Sequence, residues 1–264
     1  MIYAGALGYL RVNERAFIYQ VDSRAVRSPD PRFGLRERRV SYPSTDTVTI
    51  SAWLIPAPVD HASPRWMLLC HGNFGNIGYG QRPEFYALMR DLGINLLAFD
   101  YRGYGDSTGR PNEQGLYDDA MASYRYLTDT QLVPARNIVI FGHSLGSGVA
   151  IQLASRVPAA ALIVDGAYTS VVDRARALYP LLPIGLVATQ RFPSLDRIRS
   201  IAMPKLFIHS PEDAVIPYAD GLKLFEAAPE PKRFVAVKGG HENAYSIDRV
   251  TYYGAIDTLL QSIP

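Results

Sequence analysis

A mostly parallel β-sheet with helices on both faces, in one α/β domain spanning residues 1–264, is the fold class this sequence predicts, and two observations carry that reading. From residue 66 onward, short apolar runs rich in β-branched residues alternate with amphipathic segments, the rhythm of strand–helix units whose strands are buried on both faces. The second observation is Gly142-His143-Ser144-Leu145-Gly146, placed between the strand-like Asn137-Ile138-Val139-Ile140-Phe141 and the helix-like Ser147 to Ala154. A sharp strand–turn–helix needs glycine neighbours to leave room for a strained serine, and it lifts that serine above the sheet.

Taken in order, Met1 to Leu10 is apolar but too short to span a bilayer, and it lacks the basic start and cleavage site of a secretory leader. It reads as a docking segment or the remainder of a trimmed anchor, so the expectation is a soluble cytoplasmic protein, with peripheral membrane contact left open. Arg36 to Ser41 and Thr47 to Ile55 read as an antiparallel edge hairpin around the turn-rich Tyr42-Pro43-Ser44-Thr45-Asp46, because Val48, Ile50, Ala52 and Leu54 alternate with mostly polar neighbours. The continuous run Trp66 to Cys70 reads as the first strand buried on both faces. Then come an amphipathic segment Phe85 to Leu92, strand Ile94 to Phe99, helix Glu113 to Thr128, strand Ile138 to Phe141, helix Leu145 to Arg156 and strand Ala161 to Val164. The alternation resumes with strand Lys205 to Ser210, helix Tyr218 to Ala227, strand Arg233 to Val237 and helix Ile247 to Gln261. Between the two halves, residues 167–200 break the rhythm, and Leu178 to Val187 is apolar and punctuated by Pro180 and Pro183. This interruption reads as a small cap inserted after the strand ending near residue 164, or as an ordinary core helix, since periodicity does not separate the two.

Composition narrows the function classes. Hydrophobic residues make up 48% and charged residues 20%, so a substantial core is available and disorder is excluded. The net charge of +2, from 27 basic and 25 acidic residues, gives no field that favours nucleic acid, and the basic stretch Arg32 to Arg39 reads as a solvated edge. The lone Cys70 lies inside an apolar run and reads as a small buried hydrophobe rather than a catalytic thiol. Oligomeric state is not encoded in any of these features.

The chemistry starts from Ser144, whose hydroxyl needs a base, and the base needs an acid that fixes its tautomer. Of the five histidines, only His241 follows a glycine pair in a loop just past the last predicted strand, so His241 reads as the base, and His61, His71, His143 and His209 as structural. In such a sheet the acid lies between nucleophile and base in chain order, which selects Asp213, with Asp165 as runner-up and Glu212 as a solvated neighbour. The Leu145 amide stands at a helix start, where an unpaired N–H and the positive dipole end stabilise a developing oxyanion; the loop His71-Gly72-Asn73-Phe74-Gly75-Asn76 offers the Asn73 amide as the second donor. Phe74, Leu178, Leu182, Leu186 and Val215 are the expected walls of an apolar substrate pocket. The glycine-rich loops match neither dinucleotide nor P-loop fingerprints, no pair of residues has metal-ligand spacing, and no cofactor is required.

With these residues assembled, the chain from about Phe17 to its end resembles the α/β-hydrolase fold, and within it the Bem46-type branch related to human ABHD13 and ABHD17 proteins. The resemblance rests on His71-Gly72-Asn73-Phe74-Gly75-Asn76-Ile77-Gly78, Asp100-Tyr101-Arg102-Gly103-Tyr104-Gly105, Gly115-Leu116-Tyr117, the serine turn, Asp213 with Ile216-Pro217, and His241, in that order. It implies a serine hydrolase with the triad Ser144, Asp213 and His241, oxyanion amides at Asn73 and Leu145, and a structural role for Asp100 and Arg102 in bracing the loop beside the nucleophile. Members of the branch often carry a longer apolar anchor, whereas about ten residues precede Arg11 here. The leading expectation is carboxylic ester hydrolysis through an acyl-enzyme, on a small-molecule or lipid-like ester. Acyl-thioester cleavage or lysophospholipase-like hydrolysis with the same machinery ranks second, and a non-catalytic binding protein of the same fold third.

Overall fold

In the computed structural model, which describes residues 2–45, 47–61 and 63–263, the apolar runs form strands whose alternate residues feed two separate cores. Met67 and Leu69 pack to one side with Val139, Phe141, Ile163 and Tyr252, while Leu68 and Cys70 pack to the other with Leu97, Phe99, Ile140 and Val149. A strand with two buried faces cannot show polar alternation, which is why these runs are continuously apolar.

The chain begins with helix α1 (Ile2–Ile18) and the two-residue strand β1 (Gln20–Val21). There follow β2 (Arg38–Thr45), β3 (Val48–Ile55), β4 (Trp66–Cys70), the short β5 (Phe74–Gly75), α2 (Arg82–Asp91) and β6 (Asn95–Phe99). Next come α3 (Glu113–Arg125), β7 (Ile138–His143), α4 (Leu145–Ala154) and β8 (Ala161–Asp165). The helices α5 (Val171–Leu178), α6 (Ile184–Val187) and α7 (Ser194–Ile198) lie between β8 and β9 (Lys205–His209), and α8 (Tyr218–Ala227), β10 (Lys232–Ala236), α9 (Ala244–Ile247) and α10 (Arg249–Ser262) complete the chain. Eight strands form one sheet in the order β10-β9-β8-β7-β4-β6-β3-β2. Its members are parallel except where β3 meets β2 and β6. The parallel strands β4, β7, β8, β9 and β10 therefore end on one edge, where ligands of such sheets bind.

Several elements differ from their sequence expectation for identifiable reasons. Strand β2 continues through Pro43 to Thr45 instead of turning at Tyr42, because Tyr42 is buried, donates to Ser123 Oγ and stacks on Tyr126. An edge strand tolerates the proline; Asp46 lies outside the described residues. The α-helical hydrogen bonding of α3 stops at Arg125 and a wider turn covers Tyr126–Thr130. The last helix is split at Asp248, whose backbone leaves the helical region and whose side chain accepts from the Lys238 amide. Helix α1 extends past the apolar decapeptide, and Glu14 accepts from the amides of Thr189 and Gln190, clasping α1 to the stretch after α6. Among the described residues, no helix is long and apolar enough to cross a membrane.

Asp100 and Arg102 occupy different braces. Asp100 Oδ1 accepts from the Ile77 amide at 2.8 Å, holding the loop after β4. Arg102 instead grips Asp119 of α3, with its amide, Nε and guanidinium all donating to a carboxylate that is fully buried. Removing one partner of a buried pair strands the other charge. Asp119→Ala is therefore expected to lower unfolding free energy by about 3–5 kcal/mol in urea titration; a loss within the range of a surface substitution rejects the brace.

Candidate active site

The strand-to-helix turn at β7–α4 is built by backbone contact. Ser144 has φ +53° and ψ −124°, a region that side chains rarely adopt. Its amide donates to Asp165 O at 3.0 Å, and Ser147 N–H donates to its carbonyl at 2.9 Å. A Cβ on Gly146 would lie 2.0 Å from Cys70 O, and one on Gly142 would lie 2.3 Å from Gly146 O. Only glycine lets α4 sit this close to β4.

Two loops from neighbouring strand ends bring the other groups. Asp213 follows β9 and His241 follows β10. His241 Nε2 lies 2.7 Å from Ser144 Oγ, and His241 Nδ1 lies 2.7 Å from Asp213 Oδ2. The second carboxylate oxygen, Oδ1, accepts from the amides of Val215 and Ile216, both at 2.8 Å. Burial by itself would raise the Asp213 carboxyl, but hydrogen bonds from His209 and His241, the His241 charge and the Ile216 amide outweigh it and hold the group well below the usual carboxylate range. Asp213 is thus an ionised acceptor that fixes the His241 tautomer with Nδ1 protonated. His209 is a supporting residue, its Nε2 3.0 Å from Ile216 O and 3.4 Å from Asp213 Oδ2.

The carbonyls of the loop after β4 are held by side-chain donors. Tyr101 Oη donates to His71 O at 3.0 Å and Tyr104 Oη to Asn73 O at 2.9 Å, while the Arg82 guanidinium donates to the carbonyls of Gly72, Phe74 and Asn76. The Asn73 amide donates to no protein group among the described residues, and Leu145, as the first residue of α4, has no partner one turn back. Arg82 carried no motif in the sequence; its role depends on α2 reaching back over the loop.

Asp165, the runner-up acid, serves a different imidazole. Its Oδ2 lies 3.0 Å from His143 Nδ1 and accepts from Tyr252 Oη at 2.8 Å. His143 packs beside His241 with ring centroids 5.0 Å apart, and Glu242 places a carboxylate 3.8 Å from His143 Nε2 and 4.0 Å from His241 Nε2. Burial opposes charge on His143, yet the Asp165 and Glu242 carboxylates prevail and push its pKa up to about 10. Glu242 is held down to about 2, chiefly by the His143 imidazole beside it. His143 and Glu242 are adjacent in sequence to Ser144 and His241, and that adjacency was the one available sign of their involvement.

These groups open into a cavity of about 870 Å³ lined by Ser144, His241, Asn73 and the predicted Phe74, Leu178 and Val215. Leu182 and Leu186 are not among its walls. Pro180 and Pro183 interrupt the segment, so α5 ends at Leu178 and α6 turns Ile184 inward, leaving Leu186 85% exposed. Phe17 and Ile18 of α1 and Tyr168 supply apolar wall that sequence reasoning missed, because α1 reaches the cavity only through its tertiary clasp.

The comparisons agree with this architecture. The α/β-hydrolase fold family matches residues 65–184. An uncharacterized protein of Mycobacterium tuberculosis is 33% identical over 261 residues, covering 98% of this chain and 92% of that protein. Protein bem46 of Schizosaccharomyces pombe is 29% identical over 237 residues, covering 86% and 79%. The lysophosphatidylserine lipase ABHD12 of Danio rerio is 33% identical over 184 residues, covering 63% of this chain and 48% of that protein. An esterase of Pyrococcus furiosus, Pf2001, superposes with a TM-score of 0.76 at 19% identity over 93% of this chain and 98% of that chain, a likeness of fold alone. The chain has the α/β-hydrolase fold, and the Bem46 protein is among those it is similar to.

The raised His143 value sets a pH dependence. A group whose folded pKa (about 10) exceeds its ordinary 6.5 stabilises the fold fully below pH 6.5, and that contribution is lost as pH rises through 10. Urea unfolding of the native protein is expected to weaken across this window, and His143→Gln is expected to flatten that slope; parallel pH profiles for the two proteins would refute the charged pair.

Proposed function

We propose that the chain is a serine hydrolase that cleaves carboxylic esters through an acyl-enzyme intermediate. The observation that carries this reading is the continuous chain Ser144 Oγ, His241 Nε2, His241 Nδ1, Asp213 Oδ2, with both hydrogen bonds at 2.7 Å at the wall of an apolar cavity. His241 takes the Ser144 proton at Nε2 as Oγ attacks the ester carbonyl carbon. The amides of Asn73 and Leu145 receive the charge that develops on the carbonyl oxygen. His241 then returns the proton to the departing alkoxide, and in the second half it deprotonates the water that attacks the acyl carbon and frees Ser144. Asp213 remains ionised throughout and stabilises the imidazolium that forms at each step. The route uses only groups of this chain.

The substrate class follows from the cavity. Its apolar wall accommodates the acyl chain, and residues 167–200 act as a small cap, with Leu178 facing the cavity. The lipase name of the ABHD12 relative, which this chain matches over about half that protein's length, supports an ester of lipid-like character.

Turnover of p-nitrophenyl esters is expected to rise from acetate toward longer acyl chains; a maximum at acetate rejects the acyl-cavity assignment. Ser144→Ala is expected to lower kcat by about 10,000-fold or more while the protein stays folded and loses labelling by a fluorophosphonate probe. Asp213→Asn, which imposes the wrong tautomer on His241, is expected to cost about 10,000-fold in kcat. Undiminished turnover in Ser144→Ala would overturn the mechanism.

A further inference from the structure

His143 repeats beside His241 an arrangement that the hydrolytic reaction needs only once. Each imidazole has Nδ1 committed to a buried carboxylate, His143 to Asp165 at 3.0 Å and His241 to Asp213 at 2.7 Å. A carboxylate behind Nδ1 is the support that orients a histidine for metal binding through Nε2. The Glu242 carboxylate lies between the two Nε2 atoms, with Oε2 3.8 Å from His143 and Oε1 4.0 Å from His241. One donor atom from each of the three residues lies within 4.8 Å of the other two. We propose that His143, His241 and Glu242 form an inhibitory site for Zn²⁺, which bridges the two imidazoles and withdraws His241 Nε2 from Ser144.

The geometry suits a tetrahedral, nitrogen-accepting ion. Zinc bonds of about 2.0–2.1 Å place neighbouring ligand atoms roughly 3.3 Å apart. The Glu242 oxygens at 3.8 and 4.0 Å, and the donor atoms as a set within 4.8 Å, must close by between about 0.5 and 1.5 Å, and Glu242, with its side chain 75% exposed, is the ligand able to move. Two imidazoles and one carboxylate favour Zn²⁺ over the oxygen-seeking Ca²⁺ and Mg²⁺. Asp165, Asp213 and Glu242 surround the imidazoles with carboxylate charge, while the nearby Arg82 is occupied by loop carbonyls. The entering cation displaces to solvent the proton on His143 Nε2. A water takes the fourth position. With the His241 lone pair bound to metal, the base that activates Ser144 is gone. This inference rests on the reading of His241 as that base, but binding is measurable without turnover.

The test titrates the full chain, first freed of metal with EDTA and desalted, with Zn²⁺ against a chromophoric chelator. One Zn²⁺ per chain is expected, and Ser144→Ala should bind it at least as tightly. Glu242→Gln and His143→Asn should each weaken binding by at least the about 10- to 100-fold typical of losing even an outer-shell partner. Glu242 is on the surface, so its variant tests the site even if the His143 variant fails to fold. Zn²⁺, and not Mg²⁺, should slow fluorophosphonate labelling of Ser144, reversibly with EDTA, and slow it far less in Glu242→Gln relative to that variant's own metal-free rate. Absence of one-to-one binding, unchanged affinity in Glu242→Gln, or saturating Zn²⁺ that leaves labelling unaffected overturns the proposal. Zinc binding lost in Glu242→Gln, together with no labelling of the metal-free native protein, supports the cation site and overturns the hydrolase reading.

Discussion

The approach of α4 to β4 is the constraint on which the site depends. Gly146 lies against the carbonyls of Cys70 and His71 so closely that a single added carbon would overlap them. That contact draws the helix start down onto the sheet and holds Ser144 at positive φ, where its Oγ stands clear of the strand. The same contact brings the Leu145 amide beside the loop that carries Asn73. The proposed nucleophile and both candidate oxyanion donors are consequences of one backbone packing.

The second organising feature is the division of labour between two acid–imidazole pairs. Asp165 ends β8 and Asp213 follows β9, and each faces a different histidine. Register decides the matter: β8 pairs with β7 so that Asp165 lies directly across from His143, which leaves it committed there, while the turn after β9 aims Asp213 at the loop from β10. Both imidazoles line the cavity, and Glu242 places a carboxylate within 4.0 Å of each Nε2.

The loop after β4 illustrates orientation by exclusion. Tyr101, Tyr104 and Arg82 each hold carbonyls of this loop, while the Asn73 amide donates to no protein group among the described residues. The donors come from two separate parts of the chain, the loop after β6 and the start of α2. Such supports hold an oxyanion donor in place before the reaction begins, which is where most of its value lies.

Much of this was legible in one dimension. Continuous apolar runs announced strands buried on both faces, and the glycines of residues 142–146 announced the serine turn, because these are local demands of backbone geometry and side-chain period. Chain order then placed the acid and base at strand ends, and Asp213 and His241 do meet Ser144 in space. Other features depended on contacts between residues far apart in the chain. Tyr42 extended β2 by reaching Ser123, and Glu14 drew α1 over the cavity. The prolines at 180 and 183 were visible, but which of the flanking leucines turned inward was not, since a broken helix leaves its rotation to packing. The sequence by itself determined the strands and the serine turn, because each follows from short-range sterics, and chain order made Ser144, Asp213 and His241 the candidates for chemistry. Only the tertiary structure decided which carboxylate serves which histidine and what walls the cavity, because those choices rest on register and long-range packing that no local pattern records.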